Sequence, residues 1–314
     1  MTPDYAIIVR NKTRLESLIE RFNTRAQAKF YIERQGGDFA MYEEEHEVFY
    51  SSLHTVQTSL SAIMKHKIVD RTFLPSYIFS EKNLVVVIGQ DGLVANTAKY
   101  SRGLPMIAVN PDRSRYDGIL LPFDPGNVTA GVTLVLSGSY PARTVRFAEA
   151  RLNDGQRLLA FNDLFIGPSS HVSARYRITY GSHTENQSSS GIIVSTQAGS
   201  TGWLSSIFNM AYGVTGIFEK KRAMKKPNLA EDELLFAVRE PFRSVTTETG
   251  ITAGLIRPDQ VLTIESLMPL NGVIFSDGVE TDFLKFNSGA VAKVGIARET
   301  AQLVLNKTGK PSVR

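Results

Sequence analysis

Three stretches of the chain combine residue types and spacings that could do chemistry. The first is Gly89-Gln90-Asp91-Gly92. Glycines let backbone come close to a ligand, and a loop leading from a strand into a helix offers unpaired N–H groups and partial positive charge to phosphate. Asp91 could take a proton from a hydroxyl as a phosphoryl group arrives, the work of a general base. Its side-chain oxygen would serve equally as a helix cap. The second stretch is Asn162-Asp163, polar residues inside the otherwise apolar run 158–166, a pattern that a strand with one face in water also produces. The third, SSSGIIVSTQAGSTGW at 188–203, reads as a strand ending in small and hydroxyl residues that open a helix. That geometry suits ribose and phosphate, although a turn capped by Ser200 or Thr201 has the same composition.

These stretches need elements to hold them. Residues 6–10 form a short apolar run suited to a buried strand, and 13–35 and 44–65 have helical patterns without Gly or Pro. Residues 84–88, LVVVI, are a β-branched run between Asn83 and Gly89, as expected for a parallel strand covered on both faces. A helix over 93–102, a stop at Gly103 and a strand at 106–109 complete a strand, tight loop, helix, strand unit. From about Val128 short apolar stretches alternate with turn signals, which predicts an all-β region. Asn153-Asp154-Gly155 between 146–152 and 157–166 is a hairpin signal, and Asn271-Gly272 marks another. Residues 175–180, 191–196, 261–265 and 272–275 continue the series, with one helix from about Trp203 to Tyr212. The expected domains are 1–124, 125–294, and a returning segment 295–314, with the boundary between Pro122 and Pro125.

Bulk properties exclude several classes. The chain has 314 residues, 42% hydrophobic and 21% charged, which is ordinary globular usage and long enough for two domains. The sequence has no apolar run near the ~20 residues that span a bilayer. Its start lacks a basic segment followed by an apolar one, so neither secretion nor a membrane is expected. With no cysteine there are no disulfides or thiolate sites, as suits a reducing, cytoplasmic setting. The net charge of +4 is scattered except around Lys220, Lys221, Arg222, Lys225 and Lys226, a run that reads as a solvated face, so no nucleic-acid role is expected. The five histidines show no metal-ligand spacing, and no metal site is expected.

Taken together, GQDG at 89–92, ND at 162–163 and TQAGSTGW at 196–203 resemble, in order and context, the Gly-Gly-Asp-Gly loop, Asn-Glu pair and Thr-Pro-Thr-Gly-Ser-Thr-Ala-Tyr segment of NAD kinases. IAVNPDRSRYDGILLP, AFNDLFIG, SARYRITY, SSSGIIVST and LLFAVREP are similar to the mitochondrial-type branch of that family. The resemblance implies a Rossmann-like α/β N-terminal domain, a β-rich, β-sandwich-like C-terminal domain, and a homodimer. It implies transfer of the ATP γ-phosphate to the 2′-hydroxyl of the adenosine ribose of NAD, with Mg²⁺ accompanying the nucleotide. Asp91 would be the base. Gly89, Gly92, Asn162, Asp163, Thr196, Gly199, Ser200 and Thr201 would contact NAD, and Arg10 and Arg14 would meet phosphate. Three positions depart from the pattern: Gln90 for the second glycine, where a positive φ would be costly, Leu93 for Thr, and Asp163 for Glu. A non-catalytic NAD(P)-binding protein and a lipid or sugar kinase of related fold are the alternative readings.

Overall fold

The computed structural model describes residues 2–218 and 228–306, so the basic run at 220–226 lies outside the described residues. The chain divides into two compact units, Met1–Thr144 with Ala301–Arg314, and Val145–Thr300.

The first unit is built on a parallel sheet. Its strands are β1 (Tyr5–Arg10), β2 (Lys65–Asp70), β3 (Asn83–Ile88) and β4 (Pro105–Val109), joined by the end of β16 (Val291–Val304), in the order β2-β1-β3-β4-β16. β3 is buried at every residue, which is why it reads as an unbroken β-branched run. The edge strand β2, KHKIVD, is mostly exposed, and its polar sequence leaves no apolar signal. Helix α3 (Ala40–Ser61) lays Phe49, Leu53, Val56 and Leu60 at helical spacing onto Ala6, Ile8, Leu84 and Val86. The single helical pattern over 13–35 is two helices, α1 (Arg14–Phe22) and α2 (Arg25–Arg34). Asn23 at φ 64° ends the first, and Thr24 caps the second by accepting the Gln27 N–H. α4 (Asp91–Ala98) follows β3.

The region 128–136, expected to open the β-rich part, is instead helix α5 (Val128–Leu136), packed in the core of the first unit through Val128, Val132 and Val135. A helix apolar on nearly every side has little periodicity to distinguish it from a strand. The division therefore falls at Thr144/Val145, beyond the expected Pro122–Pro125.

The second unit has two sheets. One holds β5 (Ala142–Leu152), β6 (Arg157–Ala160), β8 (Ala174–Tyr180), β9 (His183–Ser189), β13 (Leu262–Ser266) and the first part of β16. The other runs β12-β11-β10-β7-β14-β15, with β7 (Asp163–Pro168), β10 (Ile192–Ser195), β11 (Leu234–Val238), β12 (Ala253–Ile256), β14 (Gly272–Ser276) and β15 (Val279–Lys285). Alternate residues of both, such as Tyr176, Ile178 and Ile264 from the first and Ile166, Val194 and Phe236 from the second, fill one core between them. α6 (Trp203–Phe218) follows β10 and runs past the expected Tyr212. Two sequence expectations fail here. The run 157–166 is two strands in different sheets, broken at Phe161-Asn162. Asn271-Gly272 joins no hairpin, because β13 and β14 lie in different sheets; the turn between β14 and β15 is Asp277-Gly278, both at positive φ (54° and 69°).

Candidate active site

In the first unit the strand order reverses between β1 and β3, with β2 on one side and β4 on the other. At such a switch point the loops leaving the carboxyl ends of adjacent strands diverge and leave a crevice. A cavity of about 230 Å³ lies at those loops, lined by Lys12, Arg14, Arg71, Gly89, Gln90 and Gly92 among others. Two helix N-termini begin beside it: α1, closed by a capping box between Thr13 and Glu16, and α4. Helix N-termini and three cations, partly offset by the lining carboxylates of Glu45, which pairs with Arg14, and Asp112, leave the cavity with the excess of positive charge that suits phosphate.

Gly89 sits at φ 155°, where a side chain is disfavoured, and a Cβ there would come within 3.0 Å of Leu93 Cδ2. Gln90 lies at φ −102° and is exposed, so the strain expected from replacing the family's second glycine is absent. Nothing lies within 4 Å of where a Gly92 Cβ would stand, which leaves space over the start of α4. Gln90, not Asp91, is the N-cap residue. Asp91 is half-buried, and its Oδ1 accepts the Leu120 N–H at 2.7 Å. Leu120 is itself held by the loop after β4, where Asn110 Nδ2 donates to Tyr116 O (3.0 Å) and the Leu121 N–H to Gly118 O (3.0 Å). One carboxylate oxygen is thus fixed, and the other is not used by this bond.

The arginines differ. Arg10 is committed to Glu16 (3.0 Å) and the Tyr50 hydroxyl (2.9 Å), with Asp70 at 3.8 Å, so it serves as a strut between β1, α1 and α3. Arg14 pairs with the buried Glu45 and stacks over Tyr42 at 4.8 Å, while also lining the cavity. Lys12 and Arg71 line it too, and the sequence reading missed both; a lone cation in a loop carries no spacing signal.

In the second unit, Asn162, Asp163, Thr196 and Gly199 come together. Thr196 Oγ1 donates to Phe161 O at 2.6 Å and accepts the Gly199 N–H at 3.2 Å, while the Thr196 N–H donates to Asn162 O at 2.9 Å. Gly199 must be glycine, because a Cβ there would stand 2.2 Å from Asn162 O. Ser200 donates its hydroxyl to Gln197 O (2.7 Å) inside a short 3-10 turn, Ala198–Thr201, whose last residue, Thr201, is exposed. Asp163 is 7% exposed, and burial, with the nearby charge of Asp277 added, pushes its carboxyl up to about 7.

Asp277 is the residue that sequence reasoning passed over. Its carboxylate accepts the Asn162 N–H at 2.6 Å and the Phe161 N–H at 3.1 Å, and its own N–H donates to Asp163 O at 3.0 Å. The signal was present: Asp277-Gly278 between two apolar runs is a two-residue hairpin sequence.

No family model matches the chain. It is 30% identical over 138 residues to the NAD kinase of Burkholderia ambifaria (strain MC40-6), covering 41% of this chain and 45% of that protein. It is 29% identical over 121 residues to the NAD kinase of Chlorobaculum tepidum, covering 38% and 42%. A bifunctional NADP phosphatase/NAD kinase of Methanococcus maripaludis is 26% identical over 159 residues, 48% of this chain and 27% of that one. The chain thus spans less than half the length of the curated relatives it matches. Among solved structures, yeast NADH kinase complexed with NADH has a TM-score of 0.61 at 14% identity, covering 98% of this chain and 85% of that one. An NAD kinase from Archaeoglobus fulgidus in complex with ATP gives 0.57 at 13%, covering 96% and 94%. Likeness at these identities is likeness of fold. The chain shares the two-domain fold of NAD kinases, and relatives and solved structures together support that family as the one it resembles.

Proposed function

We propose that the protein phosphorylates NAD, transferring the γ-phosphate of ATP to the 2′-hydroxyl of the adenosine ribose to give NADP. The observation that carries this reading is Asp91, a half-buried carboxylate tethered through one oxygen at the head of α4, beside a cationic cavity at the strand switch point. Phosphoryl transfer depends on positioning and charge stabilisation, with one group to receive the hydroxyl proton. In this reading Asp91 receives it. Gly89 and Gly92 let phosphate approach the α4 N-terminus, and Arg14, Lys12 and Arg71 offset its charge. Asn162, Asp163, Thr196, Gly199, Ser200 and Thr201 hold the dinucleotide. Arg10 acts through the β1–α1 framework and not on phosphate directly.

No group of three or more His, Asp or Glu that could hold a metal occurs among the described residues. Mg²⁺ is carried over from the sequence resemblance as an ion held on the nucleotide phosphates, as is usual for this ion. When bound it would neutralise the triphosphate. The first unit's parallel sheet supports a Rossmann-like reading and the second unit's facing sheets a β-sandwich-like one. Homodimeric assembly, a cytoplasmic location and the mitochondrial-type branch are carried over from the sequence resemblance. Among the described residues no helix is long and apolar enough to cross a membrane. Incubation of the purified protein with ATP, Mg²⁺ and NAD, followed by enzymatic detection of NADP, tests the proposal. Absence of NADP at any donor concentration overturns it.

A further inference from the structure

The chain between β6 and β7 leaves one sheet for the other at Phe161-Asn162, and neither sheet supplies acceptors for the N–H groups freed there. The Asp277 carboxylate does so, accepting from Phe161 at 3.1 Å and from Asn162 at 2.6 Å. On the far side of the same bend, the Asn162 carbonyl receives the Thr196 N–H at 2.9 Å and lies against Gly199. The bend is therefore gripped from two sides, by a charged acceptor in the β14–β15 turn and by the loop after β10. Asp277 adopts the left-handed conformation its turn requires, and its N–H closes the arrangement onto Asp163 O at 3.0 Å. A hairpin turn needs only Asp, Asn or Gly here. The carboxylate does something the turn itself does not demand.

We propose that Asp277 is a positioning residue for the dinucleotide: by holding the Phe161–Asp163 bend it sets where the side chains of Asn162 and Asp163 are presented. The inference rests on the NAD-binding reading of that cluster. Bonds from a charged acceptor to backbone N–H groups are stronger than neutral ones, which suits a residue that must fix a neighbour's position. A misplacement of about 1 Å in a positioned group costs on the order of 10²-fold. Asp277 also contributes to the environment of Asp163, whose pair across β10 is the uncharged Ser195 and whose neighbour on β7, Leu164, faces Ser276 of β14.

The test is Asp277→Asn, which keeps the turn, since Asn-Gly is as good a hairpin dipeptide as Asp-Gly. Its amide carries no charge and has one accepting oxygen where the carboxylate has two, so the Phe161 and Asn162 N–H groups, which bond to different oxygens of Asp277, can no longer both be accepted. KM for NAD is expected to rise roughly 10- to 100-fold, with KM for ATP unchanged and kcat falling less than KM rises. With the Asp163 carboxyl pushed up to about 7, NAD binding by the wild type is expected to show an inflection in that range, and the inflection should move to lower pH once the neighbouring negative charge is gone. A folded variant with the wild-type KM for NAD and the wild-type inflection overturns the proposal, even if its melting temperature drops. Should D277N not fold, D277E carries the same test: it keeps the charge but displaces the acceptor, so KM is expected to rise while the inflection stays, and an unchanged KM is the overturning result. Calorimetry of NAD on the wild-type protein separates the two layers. No binding there sinks the NAD reading itself, whereas binding by the wild type with an indistinguishable D277N sinks only the role of Asp277.

Discussion

At the scale of single residues, Asp91 and Asp163 are carboxylates put to different uses by their surroundings. Asp91 is half-buried with one oxygen tied to Leu120, so Asp91→Asn, which retains an acceptor for that N–H, is expected to leave folding unchanged. Loss of the basic oxygen is expected to lower NADP formation by roughly 10² to 10⁴, the range for a positioned general base. NAD affinity should fall much less, because the proton leaves in the transition state. Equal turnover in the two proteins would remove Asp91 from the mechanism. Asp163 is held protonated by burial first and by Asp277 second, with its carboxyl at about 7. Its folded value lies above the unfolded one, so the native state binds the proton more tightly. Stability from this group is complete below about pH 4 and declines as pH rises through about 7, by a few kcal/mol at most. Asp163→Asn cannot ionise and should lack that decline, so its stability relative to the wild type should be greater at pH 8 than at pH 5. Urea titrations at the two pH values check this, and parallel shifts would contradict it.

Elements decide how close these residues come. The 3-10 turn Ala198–Thr201 approaches the Phe161-Asn162 bend so nearly that position 199 has no room for a side chain. Gly199→Ala places a Cβ 2.2 Å from a backbone oxygen, which cannot rotate away as a side chain could. Either the turn or the bend must shift. The expected cost is about 1 to 3 kcal/mol, the usual scale for overpacking, together with weakened NAD binding. Denaturant midpoints and calorimetry measure the two effects, and a G199A protein with wild-type values of both would show that the close approach is unimportant. Gly92 is the contrasting case: a Cβ there meets nothing of this chain, so its freedom concerns whatever approaches the head of α4.

On the scale of the whole molecule, the two units each carry one group of candidate residues. A ligand that binds only the folded state stabilises it by about 2.7 kcal/mol at one hundred times its dissociation constant. A chain of two units need not unfold in one step. Trp203, the single tryptophan, reports on the second unit alone, stacked on Phe165 at 5.7 Å and under Arg239 at 5.6 Å. Millimolar NAD or NADP is therefore expected to raise the tryptophan-detected unfolding midpoint by about 5 to 10 °C. A midpoint that ignores both nucleotides would remove every dinucleotide-binding reading of this chain.

Local chemistry made part of this molecule readable in advance. The LVVVI run could be little other than a buried parallel strand, because a strand covered on both faces must be apolar throughout, and the glycine directly after it marked a tight loop, where the structure has φ 155°. Strand β2 was invisible because an edge strand may be polar, and α5 because its composition, VTAGVTLVL, is apolar on the exposed side as well as the buried one and so hides the helical period. The positions that join distant segments were undetermined by sequence alone. That Asp277 reaches the N–H groups of Phe161 and Asn162 depends on β14 lying beside β7, and that Arg10 is spent on Glu16 and Asp70 depends on β1 lying beside β2. Side-chain type limits what a residue can donate or accept, but only the pairing of strands that are distant in the chain determines which partner receives it.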